Sequence, residues 1–132
     1  IICYESIYGE FVTEYVKNGA NFLGIMTNDS WWGVTQGHQQ LMAYAKLRAI
    51  ETRREIARSA NSGISAHINA RGDVMADTLY EDQTALFAKV NLYDKMTFYT
   101  RAGDLLTRFS IFVLGFLVFY TMIKQFQNRK KA

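Results

Sequence analysis

The sequence predicts one α/β domain followed by a single transmembrane helix. Short apolar runs that are typical of buried strands alternate with stretches in which apolar residues recur at helical spacing. Near the carboxyl end, residues 109–123 form a run of 15 residues without a charge. The chain has 132 residues, of which 49% are hydrophobic, and this is enough for one modest domain with a core.

The first element is a short apolar stretch that ends at Cys3. Because Cys3 lies where a strand turns into a helix, its side chain is expected to be lifted clear of the sheet. Backbone N–H groups at a helix start have no intrahelical partner, so they favour a thiolate and can hold an oxyanion. Cys3 is therefore the predicted nucleophile; the alternative is that this lone cysteine is a small buried hydrophobic residue.

A helix is predicted after Cys3, since apolar residues recur there at helical spacing and Gly19 follows as a stop. The apolar positions are Ile7, Phe11, Val12, Tyr15 and Val16. Residues 21–27 are nearly all apolar, and such a run predicts a strand buried in an α/β sheet.

This strand is followed by the sequence Asn-Asp-Ser-Trp-Trp-Gly at residues 28–33. Open α/β sheets bind ligands at the carboxyl ends of their strands. We therefore expect Trp31 and Trp32 to form an apolar wall of a binding pocket, with Asn28 beside them. The alternative is that the two indole rings simply pack on the domain.

Residues 36–59 predict one long helix with apolar residues facing inward, namely Leu41, Ala45, Ala49 and Ile56. The many charged residues in its second half are expected to form a solvated or subunit-facing surface. His38 near its start is a lone histidine, and we expect a structural role for it.

Alternating apolar and polar residues predict a strand over 64–70, a turn at 71–73, and strands over 74–76 and 85–92. The Arg-Gly-Asp tripeptide at this turn is explained by turn chemistry and does not indicate adhesion. His67 has no second ligand at metal spacing, so we predict no metal site. No cofactor is predicted either.

The predicted transmembrane helix covers residues 105–123. The charge-free run alone is too short for a hydrocarbon core of about 30 Å at about 1.5 Å per residue, so the span includes Arg108, which can reach the headgroups. Residues 99–104 are the predicted linker, and residues 124–132 a basic tail. Positive charge after a span indicates the cytoplasmic side, which places the domain on the opposite face. The alternative is a buried helix of a soluble protein.

Charge gives no reason to expect a nucleic-acid partner. The net charge is +3, but the basic residues are not gathered on one face or interleaved with exposed aromatic residues. Four of them follow the apolar run, namely Lys124, Arg129, Lys130 and Lys131. Membrane topology therefore explains the excess charge better than nucleic-acid binding does.

Several segments resemble the nitrilase superfamily and, within it, the membrane-bound apolipoprotein N-acyltransferases. The sequence Ile-Cys-Tyr-Glu at residues 2–5 resembles their nucleophile segment, and Asn-Asp-Ser-Trp-Trp-Gly resembles their Asn-Asp-Ala-Trp-Phe-Gly. Residues 48–51, 59–66 and 97–104 resemble further blocks of these enzymes, in the same order along the chain.

The resemblance implies a fold and a set of roles. Residues 1–98 would be the C-terminal part of a nitrilase-like αββα sandwich, ahead of the linker and the transmembrane helix. Cys3 would be the nucleophile, the Tyr4 N–H an oxyanion donor, and Glu5 a group that hydrogen-bonds within the site. The alternative for Glu5 is a carboxylate that merely favours the helix start.

The implied activity is transfer of a fatty acyl chain through a Cys3 thioester. The donor would be a phospholipid and the acceptor the N-terminal amine of a diacylglyceryl-cysteine apolipoprotein. The enzyme would lie in a bacterial inner membrane, cross it several times, and hold its catalytic domain in the periplasm. The Glu and Lys of the family's catalytic set lie upstream of the nucleophile, so we expect this chain to be the C-terminal part of a longer protein and to be inactive alone.

Two other functions stay open at this point. One is a nitrilase-type amidase acting on small soluble amides, which uses the same thiol chemistry and needs no membrane helix. The other is a membrane-anchored interaction domain without enzymatic activity, in which Cys3 is inert.

Overall fold

The computed structural model describes the backbone of residues 1–131 and the side chains of residues 1–128. The helices are α1 (Gly9–Lys17), α2 (Gln36–Thr52), α3 (Phe98–Ala102) and α4 (Leu105–Lys131). The strands are β1 (Leu23–Asn28), β2 (Ile56–Asn61), β3 (Ala66–Ile68) and β4 (Val74–Asp77). Two 3₁₀ segments are named here the nucleophile turn (Cys3–Ile7) and the tryptophan turn (Ser30–Trp32). The end of the predicted basic tail, Ala132, lies outside the described residues.

The four strands form one mixed sheet in the order β1, β2, β3, β4. Strands β1 and β2 are parallel, and the other neighbours are antiparallel. Ile2 adds a parallel bridge to Met26 at the outer edge of β1. The predicted hairpin between β3 and β4 is confirmed, and its turn uses Gly72 at φ 87°, a conformation that glycine adopts without steric cost.

Helices α1 and α2 cover one face of the sheet. Their buried apolar residues pack with those of β1, β2 and β3 in a single core, in which Val12, Ala45 and Ile56 are fully buried. The opposite face is open, since Met26, Ala57 and Ser59 are exposed there. The described residues therefore form one sheet with helices on one side, which is half of an αββα arrangement.

The prediction of one helix over residues 36–59 is wrong beyond Thr52. Helix α2 ends where Arg53 takes a left-handed conformation, with φ 52° and ψ 43°. Such a residue ends a helix and redirects the chain. Strand β2 follows, and its residues alternate between buried and exposed as the pleat requires.

The expectation that the charged residues of this region face solvent is also wrong for four of them: Arg48, Arg54, Glu55 and Arg58 are 2% to 4% exposed. Their partners explain the burial. The Arg54 guanidinium, for example, donates to the carbonyl oxygens of Ala20 at 2.7 Å and Lys95 at 2.9 Å. Buried charges are tolerated where they are paired in this way.

The strand predicted over residues 85–92 does not form among the described residues. Glu55 holds the end of this extended segment, because its carboxylate accepts hydrogen bonds from the Asn91 N–H at 2.9 Å and the Asn91 Nδ2 at 2.7 Å. The alternation of apolar residues predicted a strand here, but this segment pairs with no neighbouring strand among the described residues. Most of the predicted linker is helical, since α3 covers Phe98–Ala102.

Helix α4 is long and apolar enough to cross a membrane over Leu105–Asn128, with a mean hydropathy of 1.9. Asp104 precedes it and accepts hydrogen bonds from the Thr107 N–H at 2.9 Å and the Thr107 hydroxyl at 2.6 Å. These bonds satisfy backbone and side-chain donors at the helix start. The predicted apolar helix at 105–123 is therefore present, and it continues beyond residue 123.

Candidate active site

The backbone at Cys3 is strained. Ile1 and Ile2 run beside β1, where the Met26 N–H donates to the Ile1 carbonyl at 3.0 Å, and the nucleophile turn starts at the next residue. Cys3 has a φ of 46°, in the left-handed region that few residues other than glycine adopt. Such outliers cluster at functional sites, where the surrounding structure holds them. The predicted position of Cys3 between a strand and a helical turn is confirmed.

The sulfur of Cys3 lies against β1. The residue is half-buried, and its Sγ is 3.4 Å from the Thr27 hydroxyl oxygen. On the other side, the Ser6 hydroxyl donates to the Cys3 carbonyl at 2.9 Å. The main chain and the side chain of Cys3 are thus both held by hydroxyl groups.

Tyr4 presents a free backbone donor beside the sulfur. The Glu5 N–H donates to the Ile2 carbonyl at 3.0 Å, whereas the Tyr4 N–H has no hydrogen-bond partner within the described residues. A free N–H next to a nucleophile suits a developing oxyanion. The Tyr4 ring stacks on Trp32, with centroids 6.3 Å apart and planes 26° apart.

Glu5 holds the nucleophile turn in shape. Its carboxylate reaches back to accept a hydrogen bond from the Ile2 N–H at 2.7 Å, as in a capping box. The same oxygen lies 3.5 Å from the Tyr15 hydroxyl on α1. The carboxylate therefore links the residue before Cys3 to α1, and it also lines the cleft described below.

The tryptophan turn brings one of its two indole rings to the site. Trp32 stacks on Tyr4, whereas Trp31 points away from the domain and is 82% exposed. The Asn28 side-chain oxygen accepts from the Ser30 N–H at 3.2 Å and the Ser30 hydroxyl at 2.6 Å. Asn28 therefore shapes this turn, and its carbonyl oxygen is already occupied.

An apolar cleft of about 860 Å³ opens beside the nucleophile turn and extends to α4. It is lined by the nucleophile turn, α1, α3 and the start of α4, including Tyr8, Phe11, Tyr99 and Ile111. At its rim, Arg108 of α4 pairs with the Glu10 carboxylate at 2.9 Å, so the cleft joins the domain to the apolar helix.

A buried arginine supports the far end of the nucleophile turn. Arg48 of α2 donates to the Ile7 carbonyl at 3.4 Å and to the Glu51 carboxylate at 3.2 Å. Burial raises the pKa of Glu51, and the positive charge of Arg48 opposes that rise. The pair lies beneath the turn, where Gly9 leaves room for the guanidinium, since a methyl group at Gly9 would overlap it.

Sequence reasoning missed three residues that lie behind the sulfur: Thr27, Asp29 and Arg58. Thr27 bridges Cys3 and Asp29, because its hydroxyl oxygen is 2.9 Å from Asp29 Oδ1. Asp29 Oδ2 in turn accepts from Arg58 Nη2 at 2.7 Å. The signal available in the sequence was the place of Asp29 directly after a buried strand. Arg58 gave no such signal, since it stood within a run of charges.

Within the part of the chain that the structure describes, no three His, Cys, Asp or Glu side chains are grouped as metal ligands. The two histidines are held by other contacts. His38 Nδ1 lies 3.2 Å from the Gly33 carbonyl, and His67 Nε2 lies 2.9 Å from the Glu55 carboxylate.

Comparison with known proteins identifies relatives of this chain. An apolipoprotein N-acyltransferase of Chlorobaculum tepidum is 38% identical over 125 residues, which cover 95% of this chain and 24% of that protein. Apolipoprotein N-acyltransferase 2 of Leptospira interrogans is 40% identical over 119 residues, or 87% of this chain and 20% of that protein. An apolipoprotein N-acyltransferase of Rhizobium etli is 46% identical over 76 residues, which cover 58% of this chain and 14% of that protein.

The chain therefore spans a quarter or less of the length of these relatives. Residues 1–95 match the carbon-nitrogen hydrolase family, which is the family of the nitrilase-like fold. This match confirms the resemblance stated from the sequence. The match and the structure together confirm the predicted fold class, a nitrilase-like α/β domain with an apolar C-terminal helix. The chain belongs to the carbon-nitrogen hydrolase family.

Proposed function

We propose that the parent protein of this chain transfers a fatty acyl chain from a phospholipid to the N-terminal amine of diacylglyceryl-cysteine apolipoproteins. Family membership and the names of the relatives support this proposal. The observation that carries it is the place of Cys3, which lies on a strained turn beside a free N–H. Glu5 and Ile7 of the same turn line an apolar cleft that reaches α4.

In the first half of the proposed reaction, the Cys3 thiolate attacks the carbonyl carbon of the phospholipid ester. A carbon–sulfur bond forms, the ester carbon–oxygen bond breaks, and the lysophospholipid leaves with a proton. The resemblance assigns the proton-accepting Glu and an oxyanion-binding Lys to parts of the parent upstream of Cys3. The Tyr4 N–H would add one donor to the oxyanion.

In the second half, the amine of the apolipoprotein attacks the thioester carbonyl. A carbon–nitrogen bond forms, the carbon–sulfur bond breaks, and the amine gives up a proton to the base. A thioester suits both halves, since a thiolate attacks esters readily and an amine readily opens a thioester. The exchange involves no redox change, so it requires no oxidant or reductant.

The remaining site residues have supporting roles in this proposal. Glu5 keeps the nucleophile turn in register through its bond to the Ile2 N–H. Asn28 shapes the tryptophan turn, Trp32 packs on Tyr4, and the exposed Trp31 is free to contact lipid. The apolar wall predicted for acyl chains would then rest on Trp32 beside Tyr4, and neither indole ring lines the cleft beside the nucleophile turn.

We further propose that α4 spans a bacterial inner membrane, with its basic end in the cytoplasm and the catalytic domain in the periplasm. The apolar stretch Leu105–Asn128 and the lysine and arginine residues that follow residue 123 support this topology. A phospholipid donor, an apolipoprotein acceptor and the membrane itself would be its partners.

The test is the intact mass of the full-length parent after incubation with phospholipid. We expect a mass gain of one fatty acyl group that hydroxylamine removes, because hydroxylamine cleaves thioesters. The Cys3→Ala variant should show no such gain. Addition of a synthetic diacylglyceryl-cysteine peptide should then discharge the adduct and give an acylated peptide.

A folded parent that binds lipid and forms no adduct would contradict the proposal. Release of ammonia from small amides without any lipid would favour an amidase instead. Full function of the Cys3→Ala variant would indicate that Cys3 is inert.

A further inference from the structure

We infer that Thr27 positions the sulfur of Cys3, and that the buried pair of Asp29 and Arg58 orients the Thr27 hydroxyl. This inference rests on the proposed function, in which Cys3 is the nucleophile. Thr27 is a positioning residue here, because it acts on the substrate only through the sulfur.

The Thr27 hydroxyl has two neighbours that can accept its proton. The Thr27 hydroxyl oxygen is 3.4 Å from Cys3 Sγ and 2.9 Å from Asp29 Oδ1, yet a hydroxyl group carries a single proton. When that proton is donated to Asp29, the lone pairs of Thr27 Oγ1 face the sulfur and can accept the thiol S–H. The hydroxyl then holds Cys3 in one rotamer.

The Thr27 hydroxyl can also serve the thiolate form of Cys3. Once the sulfur has lost its proton it can only accept hydrogen bonds, and Thr27 can turn its O–H toward it. Asp29 tolerates this change because its other oxygen keeps the bond of 2.7 Å to Arg58. The same hydroxyl therefore contacts the sulfur before and after deprotonation, and Sγ stays in place for attack.

Asp29 is held in place by burial and by its contacts. Its side chain is 0% exposed and that of Arg58 is 1% exposed. Arg58 also donates to the Ile64 carbonyl, and a methyl group at Gly63 would overlap the Asp29 carboxylate. The turn after β2 thus encloses the pair, and a buried charged pair with these contacts is rigid. Within the described residues, Thr27 is the hydrogen-bond partner of Cys3 Sγ.

The experiment compares two matched pairs of variants in the full-length parent in detergent. In the first pair, Thr27→Val replaces the hydroxyl of the wild-type threonine with a methyl group and keeps the branched side chain. In the second pair, Thr27→Ser keeps a hydroxyl and Thr27→Ala lacks it, and both side chains are unbranched. Thr52→Val is the control, because it makes the same change at a fully buried threonine whose hydroxyl, within the described residues, bonds to the Arg48 carbonyl one turn earlier. A thermal melt checks the folding of each variant.

Two rates are measured for each protein: alkylation of Cys3 by iodoacetamide, followed on the Cys3 peptide by mass spectrometry, and formation of the acyl-enzyme from phospholipid. We expect both rates to fall about tenfold in Thr27→Val and Thr27→Ala, as loss of a hydrogen bond to a charged group implies. Thr27→Ser should restore both rates to within about twofold, and Thr52→Val should leave them within about twofold.

Equal alkylation rates with and without the hydroxyl would overturn the inference, as would a Thr27→Ser variant as slow as Thr27→Ala. Alkylation requires no lipid, so the two proposals can fail separately. A parent that never forms an acyl-enzyme but whose alkylation depends on the Thr27 hydroxyl would overturn the proposed function and support the positioning of the sulfur.

Discussion

The Asp29 carboxylate and the Arg58 guanidinium lie 2.7 Å apart with both side chains buried, and they join the end of β1 to β2. Removing one partner leaves the other charge buried without compensation. We expect Arg58→Met to lower the free energy of unfolding of the parent in detergent by about 3–5 kcal/mol.

Thermal or urea unfolding of the purified parent measures this loss. The control is Lys17→Met, which breaks the exposed pair of Lys17 with Glu14, whose side chains are 38% and 58% exposed. That pair should contribute less than about 1 kcal/mol. An equal loss of unfolding free energy in Arg58→Met and Lys17→Met would show that burial does not strengthen the pair of Asp29 and Arg58.

Glu55 makes the stability depend on pH. Burial alone would raise the pKa of its carboxyl, but hydrogen bonds from Asn91 and the contact with His67 outweigh burial and lower the pKa below 4.5. A folded-state pKa below the unfolded one means that the stabilisation is complete above the unfolded pKa. The stabilisation is lost as the pH falls through the lowered folded-state pKa.

The variant Glu55→Gln should therefore be less stable than wild type at pH 7, by about 1–3 kcal/mol for the donors left without a carboxylate. The difference should shrink in acid, because the wild-type carboxyl is then protonated. Melting temperatures of the two proteins, measured from about pH 7 to about pH 3, test this prediction, because this range includes the titration of a carboxyl group. A difference that stays constant across this range would contradict the prediction.

The two tryptophans of the tryptophan turn should respond differently to truncation. Trp31 is 82% exposed, so Trp31→Ala should leave stability unchanged and raise the KM for phospholipid about tenfold, as loss of a large apolar contact implies. Trp32 packs on Tyr4 and against Gly37, so Trp32→Ala should lower kcat.

Steady-state acyl transfer to a diacylglyceryl-cysteine peptide, measured at several phospholipid concentrations, separates the two effects. Val34→Ala is a suitable control, because Val34 is 82% exposed in the same loop and is a smaller apolar residue. An unchanged KM in Trp31→Ala would remove Trp31 from the lipid-binding surface.

The proposed topology can be tested by labelling. In a Cys3→Ala parent, a cysteine at Asn128 should be protected from a membrane-impermeant maleimide in intact spheroplasts, and a cysteine at the exposed residue Asp82 should react. Both should react after the membrane is permeabilised. The reverse pattern would place the domain in the cytoplasm.

Local sequence patterns were enough to predict the parts of the fold that depend on residues close together in the chain. The nucleophile turn, β1 and the hairpin of β3 and β4 all depend on apolar spacing and on turn residues such as Gly72. The boundary between α2 and β2 could not be predicted in this way. Arg54 and Arg58 look like solvated residues until their partners are known, and the Asp29 partner lies 29 residues away in the chain.

The candidate site shows the same division. Cys3, Tyr4 and Glu5 are adjacent in sequence, and a motif identified them together. Thr27 lies beside the sulfur because the segment before Cys3 runs along β1, and Arg58 reaches Asp29 because β1 and β2 are neighbours in the sheet. No local pattern contains these relationships. The catalytic roles of the predicted residues stay predictions until the variants above are measured.

The pair of Glu10 and Arg108 lies where the apolar cleft meets the start of α4, and this position bears on how lipid would reach the nucleophile turn. Helix α4 has 27 residues and is therefore about 40 Å long, some 10 Å more than a hydrocarbon core. Its Arg108 end would then lie at the level of the glycerol esters, and the cleft beside it at the same depth. A phospholipid could enter by lateral diffusion with its tails still in the bilayer, and the cost of extracting it into water, about 0.8 kcal/mol for each methylene, would not arise.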